Sequence, residues 1–244
     1  MGGIPALIHL SLKSQVVAEH MLHIGYDGVV VDVQHGEVGV EGACEMLRGL
    51  PRGLEYAWTR IPSIDSGVIG RLLDAGARGV IAPAVETLEQ ARALVLACKY
   101  PPLGGRSLGP SRPDLYSGED YTAAGNRAVK VVAQFETAAG VEAADEIMAL
   151  PGIDAAYIGP ADLAVSYGLG ARLDWETGPV FDAIARLSGQ AREHGLAFGV
   201  FCASPEYAAF LAERGLADYA AIGTDISLLS KQATTIISTL RGTR

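Results

Sequence analysis

The chain has 244 residues, of which 49% are hydrophobic and 19% charged, a composition typical of a compact globular protein. Its formal net charge of −9 disfavours a broad nucleic-acid-binding surface, although a local cation or metal could still hold a small anion. The three cysteines have no metal-ligand spacing, and neither a signal-peptide pattern nor a run of about 18 apolar residues occurs. We therefore expect a cytoplasmic protein with no membrane partner.

Short apolar runs alternate with longer amphipathic ones along the chain, which is typical of βαβ units. The runs predicted as strands are Ala6–Leu10, Gly28–Val33, Glu55–Arg60, Gly79–Pro83, Val129–Phe135, Ala155–Gly159, Ala197–Phe201 and Tyr219–Gly223. Segments with helical period lie between them, for example 66–76, 88–99, 138–150 and 180–194. Eight strand–helix repeats predict an α/β protein whose residues 1–244 form one (β/α)8 barrel.

An open, doubly wound sheet is the alternative, because periodicity does not show whether a sheet closes. Its GxGxxG fingerprint is missing after the first strand, where the sequence is SLKSQ. The glycine-rich stretch at 103–110 follows a helix, has no P-loop lysine and is predicted as a loop. Residues 100–128 are the longest segment outside the repeats, and we expect them on the active-site face after the fourth strand.

A barrel places its chemistry at the carboxyl ends of its strands, so the polar residues there are the candidates. They are Asp32, Gln34, His35, Arg60, Gln134, Glu136, Asp162 and Asp225. Glu136 and Asp162 follow consecutive strands and would suit a hard divalent cation. An acid–base pair and helix caps are the alternatives, and Asp162 taken alone is best explained as a helix N-cap.

Two of these candidates, His35 and Arg60, each have a structural and a functional interpretation. His35 follows the apolar run GVVVDV, and by itself it fits a structural role as well as a catalytic one. Arg60 in WTRIPS could form a surface ion pair or bind an anion. No lysine occurs in the strand-end motifs, which disfavours a Schiff-base mechanism.

Several motifs together resemble one known family over nearly the whole chain. In their order and spacing they are similar to the class II, metal-dependent pyruvate aldolases of the HpcH/HpaI family. The matching pieces are DGVVVDVQHGE, TRIPS, RLLDAGARGVIAPAVETLEQAR, CKYPPLGGRS, VVAQFETAAGVE and YIGPADLAVSYG. Each motif alone is a weak signal, and their conjunction is specific.

The resemblance implies the fold, reaction and assembly of a pyruvate aldolase. The fold would be a (β/α)8 barrel of the phosphoenolpyruvate/pyruvate type. The reaction would be reversible cleavage of a 4-hydroxy-2-oxo acid into pyruvate, or a close 2-oxo acid, and an aldehyde, through an enolate stabilised by Mg, Mn or Co. The protein would be a homo-oligomer, a hexamer or trimer of dimers, with the last helix, about 225–241, exchanged between subunits.

The resemblance also implies a role for each matching residue. His35 would be the catalytic histidine oriented by Asp74, and Arg60 would stabilise the enolate. The metal ligands would be Glu136 and Asp162. The residues implied in substrate binding are Gln134, Gly159, Pro160, Ala161 and Arg106.

This sequence departs from the family pattern at positions that bear on specificity. Gln34 stands where many members have glutamate, and His9 stands where others often have an aromatic residue. Related lyases of CoA thioesters or decarboxylases of oxaloacetate-like acids, and a non-catalytic 2-oxo acid binder, are the alternatives. A CoA enzyme would need a longer chain and basic residues for the nucleotide phosphates, and neither is evident.

Overall fold

The computed structural model describes residues 3–109 and 121–242 of the chain. Its strands are β1 (Ala6–Leu10), β2 (Gly28–Asp32), β3 (Tyr56–Arg60), β4 (Gly79–Ala82), β5 (Lys130–Phe135), β6 (Ala155–Ile158), β7 (Ala197–Cys202) and β8 (Tyr219–Thr224). They are parallel and pair in sequence order, and β8 pairs with β1 to close the barrel. The predicted eight strands are present with boundaries within one residue, so the (β/α)8 prediction is confirmed and the open sheet is excluded.

The helices that alternate with these strands begin and end at signals in the local sequence. They are α1 (Gln15–Ile24), α2 (Val40–Gly49), α3 (Ser66–Ala75), α4 (Leu88–Cys98), α5 (Tyr121–Ala128), α6 (Ala138–Met148), α7 (Pro160–Ser166), α8 (Pro179–Glu193), α9 (Pro205–Glu213) and α10 (Asp225–Arg241). At the start of α4, Thr87 and Gln90 accept each other's backbone N–H bonds and form a capping box. Gly76 ends α3 with a φ of 117°, which glycine adopts readily.

The barrel interior changes from apolar to polar toward the carboxyl ends of the strands. Alternate residues of a strand face the same side, so a residue and the one two positions later both point inward. The lower, apolar layer contains Leu7, Val30, Trp58, Ile81, Val132 and Tyr219. Two positions later on four of these strands come His9, Asp32, Arg60 and Gln134. The apolar layer fills the lower part of the barrel interior, and the polar layer above it contains several of the candidate site residues.

Two glycines make room for the large rings of the apolar layer. A Cβ atom at Gly199 would lie 2.0 Å from the ring of Tyr219, and one at Gly79 would lie 2.5 Å from the ring of Trp58. Neither distance is sterically possible, so the rings fill the interior only because these strand positions lack side chains.

The segment after α4 lies at the opposite end of the barrel from the predicted position. Because α4 returns the chain to the amino-terminal side of the strands, residues 99–109 and α5 lie there before β5 begins. Buried Lys99 fixes this segment by donating to the carbonyl oxygens of Asn126 and Val129 and pairing with Asp154 at 2.8 Å. The expectation that residues 100–128 lie on the active-site face is therefore wrong for the described part, and residues 110–120 lie outside the described ranges.

Helix α10 packs on the barrel at its first turn and leaves most of its length exposed. Asp225 is buried and accepts the backbone N–H bonds of Ser11 and Leu12, which ties the start of α10 to the end of β1. Farther along, Leu229, Ile236 and Leu240 are 59%, 57% and 79% exposed. Across the described residues, the helices are too short or too polar to span a membrane.

Candidate active site

A cavity of about 180 Å³ opens at the carboxyl ends of the strands, and we call it the carboxyl-end cavity. It is lined by His35, Arg60, Gln134, Tyr157, Gly159, Pro160, Ala161, Asp162, Leu173, Phe201 and Thr224. Most of the residues predicted from sequence as site residues therefore meet in one place. Tyr157, Leu173, Phe201 and Thr224 were not predicted, because nothing in the sequence marks these apolar or hydroxyl-bearing side chains as functional.

A buried ion pair holds Arg60 at the cavity. Asp32 and Arg60 are register partners on β2 and β3, and the guanidinium donates to both carboxylate oxygens, with Nε–Oδ1 at 3.1 Å and Nη2–Oδ2 at 2.5 Å. The exposed fractions of the two side chains are 2% for Asp32 and 14% for Arg60. The surface ion pair considered for Arg60 is therefore wrong, and the guanidinium is a rigid cation beside the cavity.

Asp32 also shapes the turn that carries His35. Its Oδ1 accepts the backbone N–H bonds of Gln34 at 3.1 Å and His35 at 3.2 Å. Burial alone would raise the pKa of Asp32, but the nearby His9 ring and the hydrogen bonds from Arg60 hold that pKa well below its usual value. Asp32 was predicted only as a strand-end polar residue, and the structure shows that it accepts hydrogen bonds from both the Arg60 guanidinium and the His35 backbone.

The carboxylate of Glu136 lies directly beside Gln134 and the start of α7. Its Oε1 accepts the backbone N–H of Ala84 at 2.9 Å, and its Oε2 accepts a hydrogen bond from the Gln134 amide. Burial and the negative charge of Asp162 raise the pKa of Glu136. A divalent cation beside Glu136 would offset the effect of the neighbouring Asp162 charge on this buried carboxylate.

Two further observations fit a metal at this place. The buried Oε1 atom of Gln134 has no hydrogen-bond partner, so an acceptor oxygen is left free beside Glu136. At Gly159 a Cβ atom would lie 2.7 Å from Oε2 of Glu136, so glycine keeps the space next to the carboxylate open. Oxygen donors with open space between them suit Mg²⁺, Mn²⁺ or a similar hard cation.

Asp162 is not the N-cap of α7, which corrects the simplest interpretation of GPADL. The N-cap is Gly159, and Pro160 occupies the first helical position, where its missing N–H costs nothing. Asp162 falls in the first turn of the helix and lines the carboxyl-end cavity. Its carboxylate is therefore available to a ligand.

Asp74 and Arg106 are not part of this cavity in the single chain. Asp74 lies in the last turn of α3, at the amino-terminal end of the barrel, and its Oδ1 pairs with Nη2 of Arg106 at 2.5 Å. Arg106 packs over the ring of Tyr100 on the same side. Because α3 and α4 each carry the chain away from the carboxyl-end cavity, the orientation of His35 by Asp74 and the substrate contact of Arg106 are not made within the single chain, and both roles stay predictions.

Comparisons with known proteins agree with this architecture. The family model described as HpcH/HpaI aldolase/citrate lyase matches residues 6–231. A hydroxypyruvate/pyruvate aldolase from Rhizorhabdus wittichii is 36% identical over 98% of this chain and 95% of its own. A 4-hydroxy-2-oxovalerate aldolase from Novosphingobium aromaticivorans is 39% identical over 78% of this chain and 71% of its own.

Solved structures give the same result for the fold. The crystal structure of an HpcH/HpaI aldolase from Desulfitobacterium hafniense has a TM-score of 0.89 and 25% identity, over 98% of this chain and 93% of that one. A citrate lyase beta subunit from M. tuberculosis, complexed with oxaloacetate and magnesium, has a TM-score of 0.62 at 18% identity, over 91% and 86% of the two chains. The latter likeness supports the fold alone.

The family match and the named aldolases show that the protein is a carbon–carbon lyase. The chain belongs to the HpcH/HpaI aldolase/citrate lyase family, and its function is of the pyruvate aldolase type.

Proposed function

We propose that this protein is a divalent-metal-dependent aldolase that reversibly cleaves 4-hydroxy-2-oxo acids into pyruvate, or a close 2-oxo acid, and an aldehyde. The observation that carries the proposal is the Asp32-anchored guanidinium of Arg60 in the same small cavity as Asp162, with Glu136 beside it. The names of the relatives from Rhizorhabdus wittichii and Novosphingobium aromaticivorans support this substrate class.

The residues that would hold the metal are Glu136 and Asp162, with the free Gln134 Oε1 near them. The described residues contain no group of three or more His, Cys, Asp or Glu side chains placed to bind an ion, so two carboxylates would leave positions open for water and substrate. A bound Mg, Mn or Co ion would supply Lewis-acid stabilisation of negative charge on the 2-oxo acid.

The remaining chemistry falls to the side chains around the carboxyl-end cavity. Cleavage beta to a ketone leaves an enolate, and Arg60 is a fixed cation for the charge on its oxygen. His35 would carry the proton between the 4-hydroxyl group and the enolate carbon. The backbone from Gly159 to Ala161 lines the cavity where the substrate carboxylate would bind.

Exchange of the pyruvate methyl protons with deuterium tests the proposal without knowledge of the aldehyde. We expect the protein with Mn²⁺ to catalyse the exchange and EDTA to abolish it. Exchange that persists in EDTA would contradict the metal requirement. The absence of exchange with every divalent metal tried would contradict the aldolase itself.

Replacing His35 by alanine is expected to slow pyruvate exchange by about 10²-fold, the lower end of what general acid–base catalysis contributes, because Arg60 remains in place. Mn²⁺ affinity should stay unchanged, since His35 contacts neither carboxylate. His20→Ala, which removes an exposed imidazole on α1, is the matched control. Normal exchange by His35→Ala would show that the histidine does not carry the proton.

We also propose that the protein is a homo-oligomer in which α10 is exchanged between subunits, as a hexamer or a trimer of dimers. Where the eighth helix of a closed barrel would pack, a groove of about 620 Å³ lies open, lined by residues that include Ile24, Tyr26, Phe201 and Ile222. Such an assembly would also let Asp74 of one subunit approach His35 of another, because the two residues lie at opposite ends of the barrel within one chain. The reduced, buried cysteines Cys44, Cys98 and Cys202 fit a cytoplasmic location.

Placing charge on the apolar stripe of α10 is expected to dissociate this assembly. Leu229, Ile236 and Leu240 are seven and four positions apart and so share one face of the helix. The triple variant with glutamate at these positions should sediment as a monomer, while Leu96→Glu, an exposed leucine on α4, should sediment like the wild type. A wild type that is monomeric at micromolar concentration would contradict the exchanged helix.

A further inference from the structure

One side of the carboxyl-end cavity contains none of the groups that would hold the metal or the 2-oxo acid. The lining residues without such a role are Tyr157, Leu173, Phe201 and Thr224. The Thr224 hydroxyl oxygen already accepts the backbone N–H of Ser227 as the N-cap of α10. Leu173 and Phe201 are apolar, and we call these two side chains the apolar wall.

The strand order places the apolar wall apart from the candidate metal site. Glu136 follows β5 and Asp162 follows β6, whereas Phe201 lies on β7. Leu173 lies on the loop of residues 167–178, which connects α7 to α8. A 2-oxo acid bound at the carboxylates and Arg60 would take the side of β3 to β6. The aldehyde half of the substrate would then lie against the apolar wall.

The loop that carries Leu173 is fixed by its next residue, Asp174. The φ of Asp174 is 56°, a left-handed conformation that is uncommon for residues other than glycine. Its carboxylate accepts the backbone N–H of Ala203 at 2.8 Å and the hydroxyl of Ser204 at 2.6 Å, where β7 leads into α9. Backbone conformations of this kind persist where the surroundings hold them, and they cluster at functional sites.

Two further hydrogen bonds close the loop around Leu173. The indole N–H of Trp175 donates to the carbonyl oxygen of Arg172 at 2.8 Å, so a bond spans the leucine. The Tyr207 hydroxyl on α9 donates to the carbonyl oxygen of Trp175. Leu173 is therefore a fixed part of the cavity lining, and its contact with a ligand can be selective.

An apolar wall distinguishes a methyl group from a hydroxyl group. A methyl group there is removed from water, whereas a hydroxyl group loses its bonds to water and finds no partner on either side chain. We propose that Leu173 is a specificity-determining residue which, with Phe201, binds a short alkyl group on the aldehyde and disfavours a hydroxyl group there. The inference rests on the proposed function and adds the class of its second substrate. Asp174 is a positioning residue that acts through the loop.

Aldol addition of pyruvate to propanal and to glycolaldehyde, with Mn²⁺ present, tests the inference. The two aldehydes differ only in a methyl group against a hydroxyl group. Their intrinsic reactivities differ, so the measured quantity is the ratio of kcat/KM for propanal to that for glycolaldehyde in each variant. We expect Leu173→Asn, a polar side chain of similar size, to lower this ratio by about tenfold. A ratio equal to that of the wild type overturns the inference.

Leu96→Asn is the matched control, because Leu96 is an exposed leucine on α4 that does not line the cavity. Its ratio should equal that of the wild type. Leu173 also lines the groove in which α10 of a second copy is proposed to dock, so sedimentation of Leu173→Asn checks its assembly. If that variant does not fold or assemble, Leu173→Thr and Leu173→Val replace it, since they have the same shape. Only the threonine variant should lower the ratio, and equal ratios overturn the inference.

Variants of Asp174 separate positioning of the loop from its backbone conformation. Asparagine tolerates the left-handed conformation and offers an oxygen acceptor, whereas glycine adopts it without any acceptor. Asp174→Gly should lower the aldehyde ratio toward that of Leu173→Asn, and Asp174→Asn should keep most of the wild-type ratio. Equal ratios for the two variants, both folded by circular dichroism, would overturn the role of Asp174.

Deuterium exchange of the pyruvate methyl protons distinguishes this inference from the proposed function, because it needs no aldehyde. If the wild type exchanges no protons with any divalent metal, the aldolase proposal fails and the aldehyde preference fails with it. If the wild type exchanges protons and Leu173→Asn lowers kcat/KM equally for both aldehydes, the aldolase proposal stands. In that case Leu173 acts on a step common to both aldehydes, and the specificity inference is overturned.

Discussion

Glu136→Ala is expected to lose Mn²⁺ binding and pyruvate exchange together. Glu136 is one of two carboxylates at the candidate metal site, and its backbone contact with Ala84 and side-chain contact with Gln134 fix its direction. Even outer-shell partners of a metal ligand are worth roughly 10–100-fold in affinity, so removing a ligand should weaken Mn²⁺ binding by more than about 100-fold. Exchange should fall to the level of EDTA-treated wild type.

Titration with Mn²⁺, followed by calorimetry, measures the loss independently of activity. Glu89→Ala is the matched control, since Glu89 is an exposed carboxylate in the first turn of α4 that does not line the carboxyl-end cavity. A Glu136→Ala variant that binds Mn²⁺ as tightly as the wild type would place the ion elsewhere. A variant that loses Mn²⁺ but keeps full exchange would show that the reaction needs no metal.

The scaffold was predictable because its signals are local and repeated. Each strand is a short apolar run, and the helices carry stop signals such as Gly76, so eight repeats fixed the count and order of elements. The inward-facing period of two then places Asp32 and Gln134 in the same polar layer as Arg60. The site residues that follow strands were found for this reason.

Sequence patterns did not locate the residues whose position depends on the path of a helix. Asp74 and Arg106 match family motifs, but motif order does not show that α3 and α4 return the chain to the far end of the barrel. Asp162 was interpreted as a cap because the sequence does not show at which residue α7 begins. The helix begins at Pro160, so Gly159 is the N-cap and Asp162 lies in the first turn. Local pattern alone does not resolve either question.

The contact between His9 and Tyr157 inside the barrel was not predictable, because the two residues are 148 positions apart in the sequence. His9 was recognised as a departure from the family pattern, yet its partner Tyr157 is an ordinary strand residue in the sequence. Only closure of the barrel through β1 and β8 brings the two rings together. No local motif encodes such a contact across the barrel interior.

Arg60→Ala is expected to cost both stability and activity, because the guanidinium serves two purposes. Its removal leaves the Asp32 carboxylate buried without its ion-pair partner, which should reduce the free energy of unfolding by about 3–5 kcal/mol. Removing a cation placed beside an enolate oxygen should slow exchange by about 10²–10³-fold. Urea denaturation and the exchange assay measure the two effects separately.

A second substitution separates these effects. In the double variant Arg60→Ala with Asp32→Asn, the charges of both ion-pair partners are gone, and the asparagine oxygen can still accept the N–H bonds of Gln34 and His35. Much of the lost stability should return while exchange stays slow. Arg71→Ala is the control for stability, since its ion pair with Glu41 is on the surface and its loss should change the free energy of unfolding little.

The pH dependence of the stability loss in Arg60→Ala follows from the lowered pKa of Asp32. A lowered folded-state pKa contributes stability above the unfolded value of about 4, and that stability is lost as the pH falls toward the folded value. The difference between wild type and Arg60→Ala should therefore be constant from about pH 5 to 8 and shrink below about pH 4, where protonation of Asp32 relieves the unpaired charge in the variant. A difference that grows as the pH falls would mean that Asp32 is not the group left without its partner, and that Arg60 stabilises the fold through other contacts.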